Sequence, residues 1–233
     1  TSIKNMVKST YVQPKNIPPE LFHGTSLSRW RLINGHGLLT NRHKIYRDIQ
    51  DEDNRIYLTI DSDNAAYYGL KTTEMEKRLS EKELKETGIS KRKNDALIIS
   101  IDTSGLKKES LYFDPEDVHH KGWYVYFGNI PPNLIKKLGV TNIQHAPESE
   151  KIRLFSDIEF GEALENKNEK KFVDVLEIHI IKSKELGLEF NLLEQLTAIK
   201  NHDKIATKGK FFSKIENELI KREILQKSQI KNI

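Results

Sequence analysis

The chain has 233 residues, 36% hydrophobic and 31% charged, with a net charge of +4. That balance excludes disorder over the whole length and suits one domain with an extension, or two small ones. The absence of cysteine excludes a disulfide scaffold, a thiol nucleophile and thiolate metal sites. No run of 18 apolar residues is present, and the sequence read carries no secretory leader, so the expectation is a cytoplasmic protein with no membrane partner.

In chain order, residues 1–19 are polar, contain Pro14, Pro18 and Pro19, and read as an irregular lead-in. Glu20–His23 reads as a short strand. Leu27–Asn34 reads as a short helix that buries Trp30 and Ile33 and stops at Gly35 and Gly37. Residues 39–55 form a polar loop with Arg42, Arg47 and Arg55, long enough to be functional. Arg55–Ile60 is strand-like, and Asp61 or Ser62 can cap the helix that follows. Residues 71–87 read as charged helix ending at Gly88. Ala96–Ile101 and Trp123–Phe127 read as strands, the second closed by a turn at Ile130–Pro132. Phe172–Ile181, rich in Val and Ile, reads as a further strand. Beyond it two helical stripes follow, Phe190, Leu193, Leu196 and Ile199, then Phe212, Ile215 and Leu219.

Strands and short helices first, then helices, predict an α+β fold with a C-terminal helical extension. The expected domains are the lead-in 1–19, a main domain 20–181 and a basic extension 182–233. That last segment carries eleven Lys or Arg and seven acids, so it holds the whole net charge. A basic tail attracts an acidic partner or nucleic acid, or simply solvates a helical face.

Three local patterns carry the chemistry. The first is Phe22–His23–Gly24–Thr25–Ser26 at a strand end. The second is Ile56–Tyr57–Leu58–Thr59 followed by Ala65–Ala66–Tyr67–Tyr68–Gly69. The third is the 96–101 strand, a loop with Asp114–Pro115–Glu116–Asp117, and the 123–132 strand and turn. A histidine ring can bond ribose hydroxyls, and glycine admits a ligand to the backbone, which offers a donor and an acceptor. Two tyrosines eleven residues apart can enclose a flat ring. Arg42 and Arg47 can meet a pyrophosphate, and an acid can steady developing positive charge or orient an acceptor. Singly, each pattern is more often a turn, a core ring or a solvated loop. Their order and spacing give them weight together.

At these residues the chain resembles the His-Tyr branch of the ADP-ribosyltransferase fold, which contains the poly(ADP-ribose) polymerases, the rifamycin ADP-ribosyltransferases and the RNA 2′-phosphotransferases. The resemblance covers about residues 20–136. It implies a split, curved β core with NAD⁺ as co-substrate and no metal. His23 would bind ribose, Gly24 the carboxamide, Tyr57 and Tyr68 would stack on nicotinamide, and Thr25 and Ser26 would lie near the adenosine ribose. Arg42 would join the NAD⁺ site. The polymerase glutamate has no counterpart at the head of the 123–127 strand, where Gly122 and Trp123 stand. Asp114, placed as in the rifamycin-modifying members, is the expected catalytic acid beside His23 and Tyr57, with Glu116 and Asp117 in reserve.

The function this implies is mono-ADP-ribosyl transfer to a macromolecule, RNA, DNA or protein, in a toxin or defence effector. The tail is then the candidate surface for a neutralising partner protein. The alternatives are RNA 2′-phosphate removal, small-molecule modification, or a non-catalytic nucleotide- or RNA-binding module. His119 and His120 are adjacent, so on an extended strand they point apart and do not read as a metal pair.

Overall fold

The structure is a computed structural model that describes residues 11–40, 55–113, 122–188 and 210–224, together with 192, 196, 197 and 200. Arg42, Arg47, Asp114, Glu116, Asp117, His119, His120 and most of the first tail stripe lie outside the described residues. The fold is mixed α and β, with one six-stranded antiparallel sheet and several helices.

The chain divides into two compact units, residues 1–145 and 146–233. The first holds the sheet, in the order β4-β5-β2-β1-β3-β6. Its strands are β1 (Glu20–Ser26), β2 (Arg55–Thr59), β3 (Asp95–Asp102), β4 (Leu111–Phe113), β5 (Trp123–Phe127) and β6 (Ile135–Asn142). β3 lies between β1 and β6 and buries Ala96, Leu97, Ile99, Ser100 and Ile101, which explains its nearly unbroken apolar run. One sheet face carries the main core, with Leu21, Ile56, Leu58, Leu97, Ile99, Ile101, Tyr124 and Tyr126 packed on Ile33 of α1 (Trp30–His36). Gly37 ends α1 at φ 80°, a left-handed conformation that glycine adopts freely. Gly35 lies inside the helix and does not stop it.

The other face is covered by α2 (Ser62–Arg78). Asp61 is its cap and accepts from the Asp63 amide at 2.9 Å. The helix breaks at Leu79–Ser80 rather than running on to Gly88. Ser80 and Glu83 form a reciprocal capping box that starts α3 (Glu81–Glu86). Along α2, Ala65, Gly69, Thr73 and Glu76 form the buried stripe. The fit on β1 is backbone to backbone, because a Cβ on Gly24 would stand 1.6 Å from the Ala65 carbonyl oxygen and 2.6 Å from the Gly69 nitrogen.

The second unit is helical: α4 (Glu148–Glu165), α5 (Glu169–Glu185) and α6 (Lys210–Lys221). Phe172–Ile181, expected as a strand, lies within α5. Phe172, Val173 and Leu176 recur at helical spacing and are buried, with Ala163, Leu196, Phe211, Phe212, Ile215 and Leu219, in a separate core. Ile178 and Ile181 stay exposed. The β-forming bias of Val and Ile is overridden by burial of one helical stripe. For the same reason the units divide at 145/146 and not at the expected 181/182: α5 packs with helices, not in the sheet. Arg222 joins this unit through Asp174, Glu177 and Glu218, which hold its guanidinium charged, and its hydrogen bond to Glu218 holds that carboxyl below its usual range.

Candidate functional site

β1 and β2 are neighbours, yet only one register pair joins them, Phe22 with Thr59. β1 pairs with β3 over seven consecutive positions and β2 with β5 over five. A continued β1–β2 register would set Gly24 opposite Tyr57. A side chain engages there instead: His23 Nδ1 lies 2.9 Å from the Tyr57 carbonyl oxygen. A carbonyl only accepts, so Nδ1 carries the hydrogen. In the neutral ring Nε2 is then left with an open lone pair, an acceptor suited to a hydroxyl donor.

His23 is half-buried. Burial pushes its pKa below the usual 6.5; the bond to Tyr57 opposes that and the charge of Arg29 adds to it. The neutral ring is therefore the resting form at pH 7.

Strand alternation sorts the remaining side chains. Cross-strand partners share a face, so Phe22, Gly24, Tyr57, Thr59 and Trp123 belong to the face that α2 covers. His23 belongs to the core face with Leu21 and Thr25 and reaches Tyr57 through the seam between β1 and β2. Tyr57 is 36% exposed and Tyr68, on α2, is 40% exposed. The Tyr68 ring meets Trp123 edge-on at 5.0 Å and Tyr67 at 5.4 Å. The structure thus brings His23, Gly24 and Tyr57 to one seam, with Tyr68 and Trp123 on the α2 side.

Thr25 and Ser26 are buried. The tight approach at Gly24 is made by α2 on the Cα side, which gives this glycine a packing duty not read from the sequence. Close by in the chain, Arg29 Nε donates to Glu76 Oε1 at 2.7 Å, with Glu76 fully buried. Ser26 Oγ, Arg29 Nη2 and Glu76 Oε2 are buried without hydrogen-bond partners. Sequence reasoning missed the pair because 47 residues separate its members. A glutamate on the same helical stripe as Ala65, Gly69 and Thr73 was the available signal.

Among the described residues no group of three His, Asp or Glu could hold a metal ion, and no helix is long and apolar enough to cross a membrane. No protein-family model matches the chain, and no curated protein matches it.

Proposed function

We propose that this chain is a mono-ADP-ribosyltransferase that takes ADP-ribose from NAD⁺ and transfers it to a macromolecule, and that its sheet is the split β core of that fold. The observation that carries the reading is the His23–Tyr57 hydrogen bond across a seam where β1 and β2 share a single register pair. It joins the two motifs of the resemblance, 34 residues apart in the chain, at one place.

In this reading the neutral His23 ring offers Nε2 to a ribose hydroxyl while its Nδ1–H is spent on the Tyr57 carbonyl. Gly24 meets the carboxamide through its backbone, and Tyr57 and Tyr68 flank the nicotinamide ring. The bond from ribose C1′ to nicotinamide breaks, and its electron pair leaves with nicotinamide. The acceptor's nucleophile bonds to C1′ and gives its proton to solvent or to an acid–base group. Asp114 is the residue assigned to that last role, and Arg42 is assigned to the pyrophosphate. Holding the reactants in place supplies much of the rate.

One observation favours a second reading, a nucleotide-binding module without transfer: the head of β5 presents Trp123 and no acid. NAD⁺ labelled on its adenylate phosphate separates the two. Incubation with a cell extract is expected to yield labelled macromolecule, and NAD⁺ binding with no label transferred would support the module.

A further inference from the structure

The corner between β2 and α2 is fixed by hydrogen bonds. Thr59 ends β2, and its Oγ1 accepts from the Asp61 amide at 3.1 Å, beside the Asp61 cap that starts α2. Trp123 is paired with Thr59 at the end of the β2–β5 ladder. The Ile60 amide donates to the Gly122 carbonyl at 3.0 Å and extends the hold past that pair. Gly122 stands at φ 134°, and a Cβ there would meet Ile60 Cγ1 at 2.5 Å, so glycine is what lets the chain enter β5 this close to Ile60. Trp123 is thereby set on the face that α2 covers, opposite Thr59 and diagonal to Tyr57, a separation that aromatic side chains can span.

Tyr68 comes to the same place from α2. Its ring centre lies 5.0 Å from that of Trp123, at 83°, and 5.4 Å from that of Tyr67, at 87°. Tyr67 is buried, whereas Tyr68 is 40% exposed. A phenol that exposed on a helix would turn among its rotamers. Here two nearly perpendicular rings, one anchored by burial and one by the sheet, oppose that turning. Trp123 therefore borders both tyrosines of the site, Tyr57 across the ladder and Tyr68 by direct edge-on contact.

We propose that Trp123 is a positioning residue, which holds the Tyr68 ring at a set orientation to Tyr57 so that the pair receives a flat ring already ordered. That the flat ring is nicotinamide rests on the reading above; the Trp123–Tyr68 contact does not. In this role Trp123 touches no reacting atom and acts through Tyr68. A side chain ordered beforehand spares the binding step the cost of immobilising it. Stacking on nicotinamide is made in the bound substrate as well as in the transition state, so the gain falls on KM and not on kcat.

The test follows nicotinamide release from NAD⁺ by the parent, Trp123→Ala, Trp123→Phe, Tyr68→Leu and the Trp123→Ala, Tyr68→Leu double variant, each shown to be folded by its thermal melt. Trp123→Ala should raise KM roughly three- to tenfold and leave kcat within about twofold. Trp123→Phe, which keeps a ring at that place, should recover most of the rise. In the Tyr68→Leu background, Trp123→Ala should add less than about twofold, because the ring it acts through is gone. Equal rises in both backgrounds, a fall in kcat at unchanged KM, or no rise at all would overturn the role. A second readout needs no NAD⁺. The chain has two tryptophans, so Trp30→Phe leaves Trp123 as the single indole. Tyr68→Leu in that protein should weaken the near-ultraviolet circular dichroism band of the indole, and an unchanged band would overturn the contact. A parent that shows the band yet neither binds nor turns over NAD⁺ removes the transferase reading and the role together. Turnover with a KM indifferent to Trp123→Ala removes the role alone.

Discussion

Gly24→Ala isolates the packing of α2 on β1. The added methyl would stand 1.6 Å from the Ala65 carbonyl oxygen, 2.6 Å from its carbon and 2.6 Å from the Gly69 nitrogen. All three are backbone atoms of a helix, so relief requires α2 to lift as a body by roughly 1.5 Å, and overpacking of this kind costs typically 1–3 kcal/mol, occasionally more. We expect about 3 kcal/mol here, read as a lower urea midpoint at unchanged slope and as a fall in Tm of roughly 6–12 °C. The control is Gly35→Ala, where an added Cβ meets nothing within 4 Å. Within α1 that change should be neutral or stabilise by up to about 1 kcal/mol. If Gly24→Ala were as stable as the parent to within about 0.5 kcal/mol, the usual spread for harmless substitutions, the packing argument would fail.

The Arg29–Glu76 pair makes a second case. Glu76 is fully buried, so Arg29→Met strands a carboxylate and should cost about 3–5 kcal/mol, whereas replacing both partners with apolar residues should recover most of the loss. A double-mutant cycle in urea measures this, and additive single losses would refute the coupling. For pH, the folded chain resists protonation of His23, and of His179 for the same reason, burial. Below pH 6.5 the unfolded chain takes up protons that the folded chain refuses, so stability is flat above that value and falls below it. Denaturant melts from pH 8 to pH 5 check the slope, and His23→Asn should flatten part of it. In the proposed reaction, turnover should persist somewhat below pH 6.5 before an acid limb appears, because the working form of His23 is the neutral one.

Where one sheet face or one helix stripe was buried, the sequence was legible. The cores of β1, β2, β3 and β5 follow apolar alternation or an apolar run, and the Asp61 cap was readable from its position before the helix. β6 was not visible: Ile135–Asn142 is an edge strand with Lys136, Lys137 and Gly139, carrying little of the β-forming signal. α5 reads as strand because Val173, Val175, Ile178, Ile180 and Ile181 crowd it, and only tertiary burial of Phe172, Val173 and Leu176 decides for helix. The Ser80–Glu83 capping box was present as a local pattern and marks a helix start that the charge-rich reading of 71–87 passed over.

At the site, residue types were legible and relations were not. His23 and Tyr57 could be named from their motifs, but the bond from a ring nitrogen to the Tyr57 carbonyl depends on a sheet seam. The same holds for Trp123 beside Tyr68 and for Arg29 with Glu76, which meet only once α2 lies on the sheet. Gly24 looked like an opening for a ligand, and the backbone that comes up against its Cα is α2.

In the proposed function the His23–Tyr57 seam handles NAD⁺. The most direct measurement is nicotinamide release from NAD⁺ by the parent chain and by His23→Ala, each shown to be folded by its thermal melt. The parent should release nicotinamide and the variant should lose at least about a hundredfold of that rate, the scale expected when a positioning contact at the reacting group is removed. Equal release by the two proteins would contradict it.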